Sequence, residues 1–509
     1  MFDDSSRRHF LKWAATTGGA GCILSKAGIT GLPTVAYGEA VLPPEAVRLR
    51  PEIEPLVQLI EKTPRQELLE AVGGKIGQGT SYQSVLAALM LAGVRNVQPR
   101  PSVGFKFHAV LVVNAAHLAS LASPSKHRWL PIFWALDHFK TSQARDVQEN
   151  NWTMSVPSEG DVPTASKCRQ AFTDAMDGWD EAAADAAVTG IARHLPAHEV
   201  YEMFFRYGAR DYRSIGHKAI FVANSWRTLQ CIGWRHAEPI VRSLAYALLN
   251  HEGSNPSKGD AEADRPWREN VTLAARFRSN WLDGRVDANA TTELLAVLRQ
   301  GNYREASQQV LKQINAGIAP QAIWDAFFLD AAELLVRQPE IVAMHAMTST
   351  NALRFAFRTT ANDDTRRMIL LQTASFLTLF HKSMRGRGKV SDFRIDELEP
   401  LADDTADELK LDAIFSDVSS NKHRAAQRVL AYLQAKQSPA ALLDEARLLM
   451  FFKGSGSHDY KFGSAVLEDY YQISPAWRDR YLAAAVYNLR GSKDTQNPLV
   501  ERTQKALGG

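Results

Sequence analysis

One arrangement recurs four times along this chain and limits what it can fold into. An apolar run of helical spacing leads to a short break, a histidine and a second apolar run. The closest copies are His108-Ala109 with Asn114-Ala115 and His345-Ala346 with Asn351-Ala352, at identical spacing. A third copy starts at His217 and has its asparagine one residue later, at Asn224. The fourth, His458-Asp459-Tyr460-Lys461, keeps the setting without the asparagine. Successive histidines are 109, 128 and 113 residues apart (217−108, 345−217 and 458−345). Near-regular spacing of this kind marks duplicated units of about a hundred residues, each too apolar on one side to stand alone.

Within each unit the pattern is helical. Ala, Leu, Glu, Arg and Gln fill long amphipathic stretches, and alternating β-branched runs are nearly absent. A first helix is expected at 53–71, 180–193, 291–314 and 424–436. A second precedes each histidine at 82–93, 200–210, 322–335 and 442–452, and a closing helix follows at 127–136, 236–244, 365–371 and 477–482. The strand-like run at 110–113 stands where another copy reads Met347-Thr348-Ser349-Thr350, so it belongs on a buried helix. Polar, proline- or glycine-bearing stretches at 149–165, 255–264 and 386–403 read as linkers. The expected fold is all-α, with four divergent multi-helix units (50–146, 179–253, 290–385 and 405–491) packed into one body around a central site.

Ser6-Arg7-Arg8-His9-Phe10-Leu11-Lys12, followed by a mildly apolar stretch, resembles a twin-arginine export signal. Processing is plausible after Ala36 or after Ala40, both with small residues at the cleavage positions, so 1–40 reads as a signal peptide and the mature protein as periplasmic or otherwise exported. Cys22 follows Gly19-Ala20-Gly21, a poor lipoprotein box, which makes a lipid anchor the lesser reading. Cys168 and Cys231 then allow one disulfide at most. Without a Cys-x-x-Cys pair, iron–sulfur clusters, thiolate zinc and covalent haem are disfavoured. A net charge of +3 and no dense basic run argue against nucleic acid as a partner. No apolar segment is long enough for a transmembrane span.

A lone histidine at a helix start is ordinarily a cap or a satisfied core residue. Recurrence at equivalent places changes that reading. A buried imidazole needs a partner on each nitrogen, and a metal plus an outer acceptor supplies both. His108, His217, His345 and His458 are therefore candidate metal ligands. Lys461 shares a helix face with His458 and qualifies only if neutral or carbamylated, while Asp459 and Glu468 are simpler carboxylate candidates. Asn114, Asn224 and Asn351 are expected to orient the imidazoles or hold their loops. An all-imidazole set suits iron, copper, manganese, nickel or zinc rather than calcium or magnesium. A redox ion there points to activation of dioxygen or a related oxidant, and zinc to hydrolysis. His-Glu-x-x-His, Gly-x-Ser-x-Gly, phosphate-loop and dinucleotide-binding patterns are missing.

The remaining histidines carry less. His117, His138 and His381 read as structural, and His127 and His236 as solvated or capping. Phe204, Phe205, Trp324, Phe327 and Phe328 are the expected aromatic lining for a small-molecule substrate. Two rival readings stay open: a helical-repeat scaffold whose histidines only cap and pack, and a non-covalent haem protein with paired histidine ligands.

The helical units, each presenting a histidine (His108, His217, His345 and His458), with Lys461 close by, resemble the questin oxidase-like family. The likeness is architectural and spans most of the mature chain, with Tyr82-Gln83-Ser84 standing where that family has an early histidine-rich helix. It implies a helical fold and non-haem iron held by several histidines and a modified lysine. It further implies oxidative chemistry on aromatic polyketides. Iron thus ranks ahead of copper, manganese and zinc.

Overall fold

A computed structural model describes residues 51–99, 103–251, 253–402 and 410–508, with backbone alone for 51 and 103–109. The export signal and Cys22 lie outside the described residues. Among the described residues are 22 α-helices and no strand, so the protein is all-α. A lone backbone bridge joins Arg285 to Ile318.

The first group of helices is α1 (Glu54–Lys62), α2 (Arg65–Gly77), α3 (Tyr82–Asn96), α4 (Val103–Ala122) and α5 (Trp129–Glu149). The second is α6 (Cys168–Gly178), α7 (Glu181–His194), α8 (Ala197–Gly208), α9 (His217–Ile232) and α10 (Ala237–Leu249). Next come α11 (Arg265–Ala274), α12 (Ala288–Gln300), α13 (Tyr303–Asn315), α14 (Pro320–Arg337), α15 (Ile341–Thr359) and α16 (Asp363–Arg385). The last are α17 (Leu411–Ser420), α18 (Lys422–Gln434), α19 (Pro439–Lys453), α20 (Ser457–Asp469), α21 (Arg478–Ala485) and α22 (Leu499–Ala506).

Helix starts follow side-chain chemistry. Ser81, Asp180, Asp287, Asn362, Asn421 and Ser438 each accept a hydrogen bond from a backbone N–H of the first turn. Pro320 and Pro439 occupy first-turn positions, where a missing N–H costs nothing. Two expected helices are each broken in two. The stretch 53–71 divides at Thr63-Pro64, because proline cannot continue α1. The stretch 291–314 divides at Gly301-Asn302, where Asn302 and Glu305 form a capping box that starts α13. The run at 110–113 is helical and buried in α4, as expected.

Four helices form the centre. α4 packs on α9 and α20, and α15 packs on the same two, which closes a ring. Each ring helix bears one of the recurrent histidines within its first two turns. The other helices wrap this ring. α14 packs on α12, α15, α16 and α21, which accounts for its burial along nearly its whole length. At the C-terminal end α22 lies on α2 across Gly73, where any Cβ would collide with the Ala506 carbonyl. No described helix is long and apolar enough to cross a membrane.

Candidate metal centre

The turn that launches α9 is strained. Ser214, Ile215 and Gly216 all have left-handed backbones, at φ 64°, 47° and 79°. A β-branched residue there is a steric outlier, and such strain persists only where the surroundings impose it. Asp211 does so. Its carboxylate accepts from the Arg213 N–H at 2.9 Å and from the Lys218 ammonium at 2.5 Å, closing the turn onto the first turn of α9. Both members of that ion pair are buried. At Gly216 the chain passes so close to Ser349 of α15 that a Cβ would collide with its side chain. Gly216→Ala is therefore expected to cost about 1–3 kcal/mol, from the backbone conformation and the collision together. Denaturant unfolding measures this loss, and Ser349→Gly in the same chain should restore only the steric part.

The turn delivers His217. Its Nδ1 donates to the Ser214 carbonyl at 2.6 Å. On α15, His345 Nδ1 donates to the Ile341 carbonyl at 2.6 Å. A carbonyl oxygen only accepts, so in each neutral ring the hydrogen is on Nδ1 and Nε2 carries a lone pair. The two Nε2 atoms stand 3.0 Å apart, with ring centroids at 4.4 Å. Two lone pairs cannot hydrogen-bond each other. A proton between them would relieve the contact, but burial first, then the neighbouring Lys461 charge, pushes His217 down to about 3. Burial and the facing His217 hold His345 well below the ordinary imidazole range. What remains is an electron pair-rich gap that suits a cation.

The spacing fits one. With metal–nitrogen bonds of about 2.0–2.1 Å, a 3.0 Å separation subtends roughly 90–100° at the ion, a normal angle between adjacent ligands. His458 stands edge-on to His345 at 5.4 Å between centroids, and burial with the Lys461 charge lowers it to about 4. Of the fourth expected ligand, His108, the helix is placed, and its side chain lies outside the described residues. Among the described residues no three His, Cys, Asp or Glu side chains stand as a ready-made cage. Among the described residues His217 and His345 are at ligand spacing.

Lys461 is buried, not a surface lysine, and among the described residues its Nζ has no hydrogen-bond partner. Burial pushes its ammonium down to about 7, so a neutral amine is accessible here near neutral pH. Asp459 turns away from the centre. Its carboxylate caps α20 through Ser455 and Gly456 and takes Arg490 at 2.8 and 2.9 Å. Glu468 is engaged by Arg227, at 2.8 and 3.0 Å.

Asn224 and Asn351 do not orient the His217 and His345 imidazoles, whose Nδ1 atoms are held by backbone carbonyls. They tie the seams of the ring instead. Asn224 of α9 donates to the Leu111 carbonyl of α4 at 3.3 Å. Asn351 of α15 accepts from Arg227 of α9 at 3.3 Å and donates to Glu468 and Asp469 of α20 at 2.9 and 2.7 Å. The fourth seam is closed by Ser464 of α20, donating to the Ala115 carbonyl of α4 at 2.9 Å. Ser464 follows His458 by the same six residues that separate Asn114 from His108 and Asn351 from His345. Asn114 Oδ1 is buried with no hydrogen-bond partner among the described residues. It shares with Lys461, Asn224, Arg227, Asn351 and Ser464 a cavity of about 20 Å³, room for a water-sized guest.

Several expectations are overturned. Phe204, Phe205, Trp324, Phe327 and Phe328 are core, none more than 2 % exposed, and none lines that cavity. His127 and His236 are buried rather than solvated. His117 pairs with the Tyr82 hydroxyl at 3.0 Å and His381 with Asp330 at 2.9 Å, structural roles both. Cys168 and Cys231 are both buried and are not joined in a disulfide, within the expected limit of one at most. No protein-family model matches this chain, and no curated protein or solved structure shows significant similarity to it.

Proposed function

We propose that the helical ring is a metal centre in which His217, His345 and His458, joined by His108 from α4, bind one redox-active ion. Iron ranks first, with copper, manganese and zinc behind it. The observation that carries this reading is the 3.0 Å approach of two Nε2 lone pairs on carbonyl-anchored rings. Neither packing nor capping accounts for two buried lone pairs facing each other, and a cation does. The donor set is all nitrogen, and the nearest carboxylates are committed to arginines, which selects against calcium and magnesium.

On this reading the protein is an exported oxidoreductase acting on a small organic molecule. Bound iron would supply one-electron and dioxygen chemistry. The chain holds the His217 and His345 imidazoles in one tautomer and buries them, and the cavity lined by Lys461 and the ring asparagines has room for a water-sized guest but not an aromatic one. The organic substrate would have to react from outside that cavity or enter with movement of the ring helices. Haem is the weaker rival. Axial imidazoles stand about 4 Å apart across an iron with ~2 Å bonds, and a gap of 3.0 Å leaves no room for a macrocycle.

Elemental analysis of protein purified without chelators tests the reading. Stoichiometric iron or another first-row metal, with no intense haem band and with dioxygen uptake under a reductant, is expected. Metal uptake without any turnover would leave a metal-stabilised scaffold. A chain that takes up no iron, copper, manganese or zinc on titration contradicts the proposal.

A further inference from the structure

A cleft near the C-terminal end of the chain has no part in the metal reading. It measures about 580 Å³ and lies between α17, the start of α18, the α19–α20 junction and the 488–498 loop that leads to α22. That volume falls within the roughly 300–1,000 Å³ of small-molecule sites. Four cationic side chains line it, those of Lys422, Lys453, Arg490 and Lys493, against two carboxylates, Asp459 and Asp494. Of the described residues around it, Val418, Leu489 and Pro498 alone are apolar, and none is aromatic.

The cleft is held open by its own walls. Buried Asn497 donates its N–H to the Phe452 carbonyl at 2.6 Å and its side-chain amide to the Gly454 carbonyl at 2.9 Å. At the other end of the loop, the Ser492 N–H reaches the Phe415 carbonyl at 3.0 Å and the Lys493 N–H reaches Ser419 Oγ at 3.1 Å. Gly491 packs so closely on Ser419 that a Cβ would collide with it. A loop pinned at both ends needs little ordering when a ligand arrives, which favours affinity.

The charges do not cancel. Arg490 engages Asp459 in two bonds of 2.8 and 2.9 Å. Half-buried Lys422 donates to the Tyr487 and Leu489 carbonyls at 2.8 and 3.4 Å, which fix its position without neutralising it and leave a third hydrogen to give. Asp494 accepts from the Gly491 N–H at 3.0 Å. Lys453 and Lys493 carry ammonium groups that no carboxylate among the described residues pairs. An excess of two positive charges therefore stands in a concave space, which concentrates their field.

We propose that this cleft binds a small hydrophilic organic dianion, a phosphate monoester or a dicarboxylate, through Lys422, Lys453 and Lys493. The polar lining selects against an aromatic ligand, and the two uncompensated charges select for a doubly charged one. The inference stands apart from the metal reading, although Asp459 sets the cleft beside the turn of α20 that carries His458.

Calorimetric titration of the full chain with glucose 6-phosphate, succinate, inorganic phosphate and glucose tests it. Glucose 6-phosphate or succinate is expected to bind once per chain, more weakly as salt rises, and at least ~10-fold more tightly than inorganic phosphate. Glucose should not bind. Lys453→Gln with Lys493→Gln should weaken the organic anion at least ~10-fold, while Lys312→Gln, an exposed lysine of α13 outside the cleft, should change nothing. Binding of neither organic anion, equal binding of inorganic phosphate, or unchanged affinity in the double variant would overturn the inference. Should the double variant melt early, Lys493→Gln decides alone, because that side chain is exposed. A chain that takes up no metal yet binds the dianion ends the metal reading and leaves this one standing.

Discussion

His217→Ala and His345→Ala should each lose more than ~100-fold in metal affinity, a larger effect than that of outer hydrogen-bond partners at metal sites. Each removes one of the two facing Nε2 atoms and leaves its partner without a second ligand at 3.0 Å. His458→Ala and His108→Ala should lower bound metal sharply too. His127→Ala and His236→Ala, although both residues are buried, should keep wild-type metal content. Elemental analysis across the six variants makes the comparison, and equal metal throughout would remove the four-histidine centre. In the absence of metal, His345→Ala should lose little stability, because deleting one of two opposed lone pairs offsets much of the lost packing.

Lys218→Met carries the second large effect. The Asp211–Lys218 pair is buried on both sides, and removing one partner leaves a carboxylate in a low-dielectric interior. Such losses cost about 3–5 kcal/mol. The low end is expected, since Arg213 still reaches the same carboxylate at 3.1 Å. The consequence reaches the site. Without Lys218 the turn through Ser214, Ile215 and Gly216 loses its clamp, and the Ser214 carbonyl no longer fixes the His217 ring. Metal affinity should therefore fall along with stability. Asp211→Asn in the same chain should recover part of the stability, and a double-mutant cycle measures the coupling.

Much of the architecture was legible in the residues. Helical periodicity and cap residues place most helices, and the recurrence of His217, His345 and His458 at helix starts anticipates their meeting in space. The break at Gly301-Asn302 was also readable, from the Asn302–Glu305 capping box, but a continuous apolar pattern masked it. Other features were not legible, for physical reasons. Ser464 performs the seam-tying role of asparagine with a different side chain. Ile215 gives no sign of a left-handed backbone, because β-branched residues avoid it unless tertiary contacts compel them. Aromatic stripes on α8 and α14 look the same whether they face a pocket or a core, and here they face the core. The asparagines were assigned to the imidazoles by proximity along a helix, whereas an amide six residues on reaches the neighbouring helix.

Anomalous diffraction from crystals grown with iron, measured on both sides of the iron edge, tests the central claim most directly. An edge-dependent peak roughly 2.0–2.3 Å from Nε2 of both His217 and His345 is the predicted result. Fully iron-soaked crystals in which those two rings face each other with no such peak would contradict it.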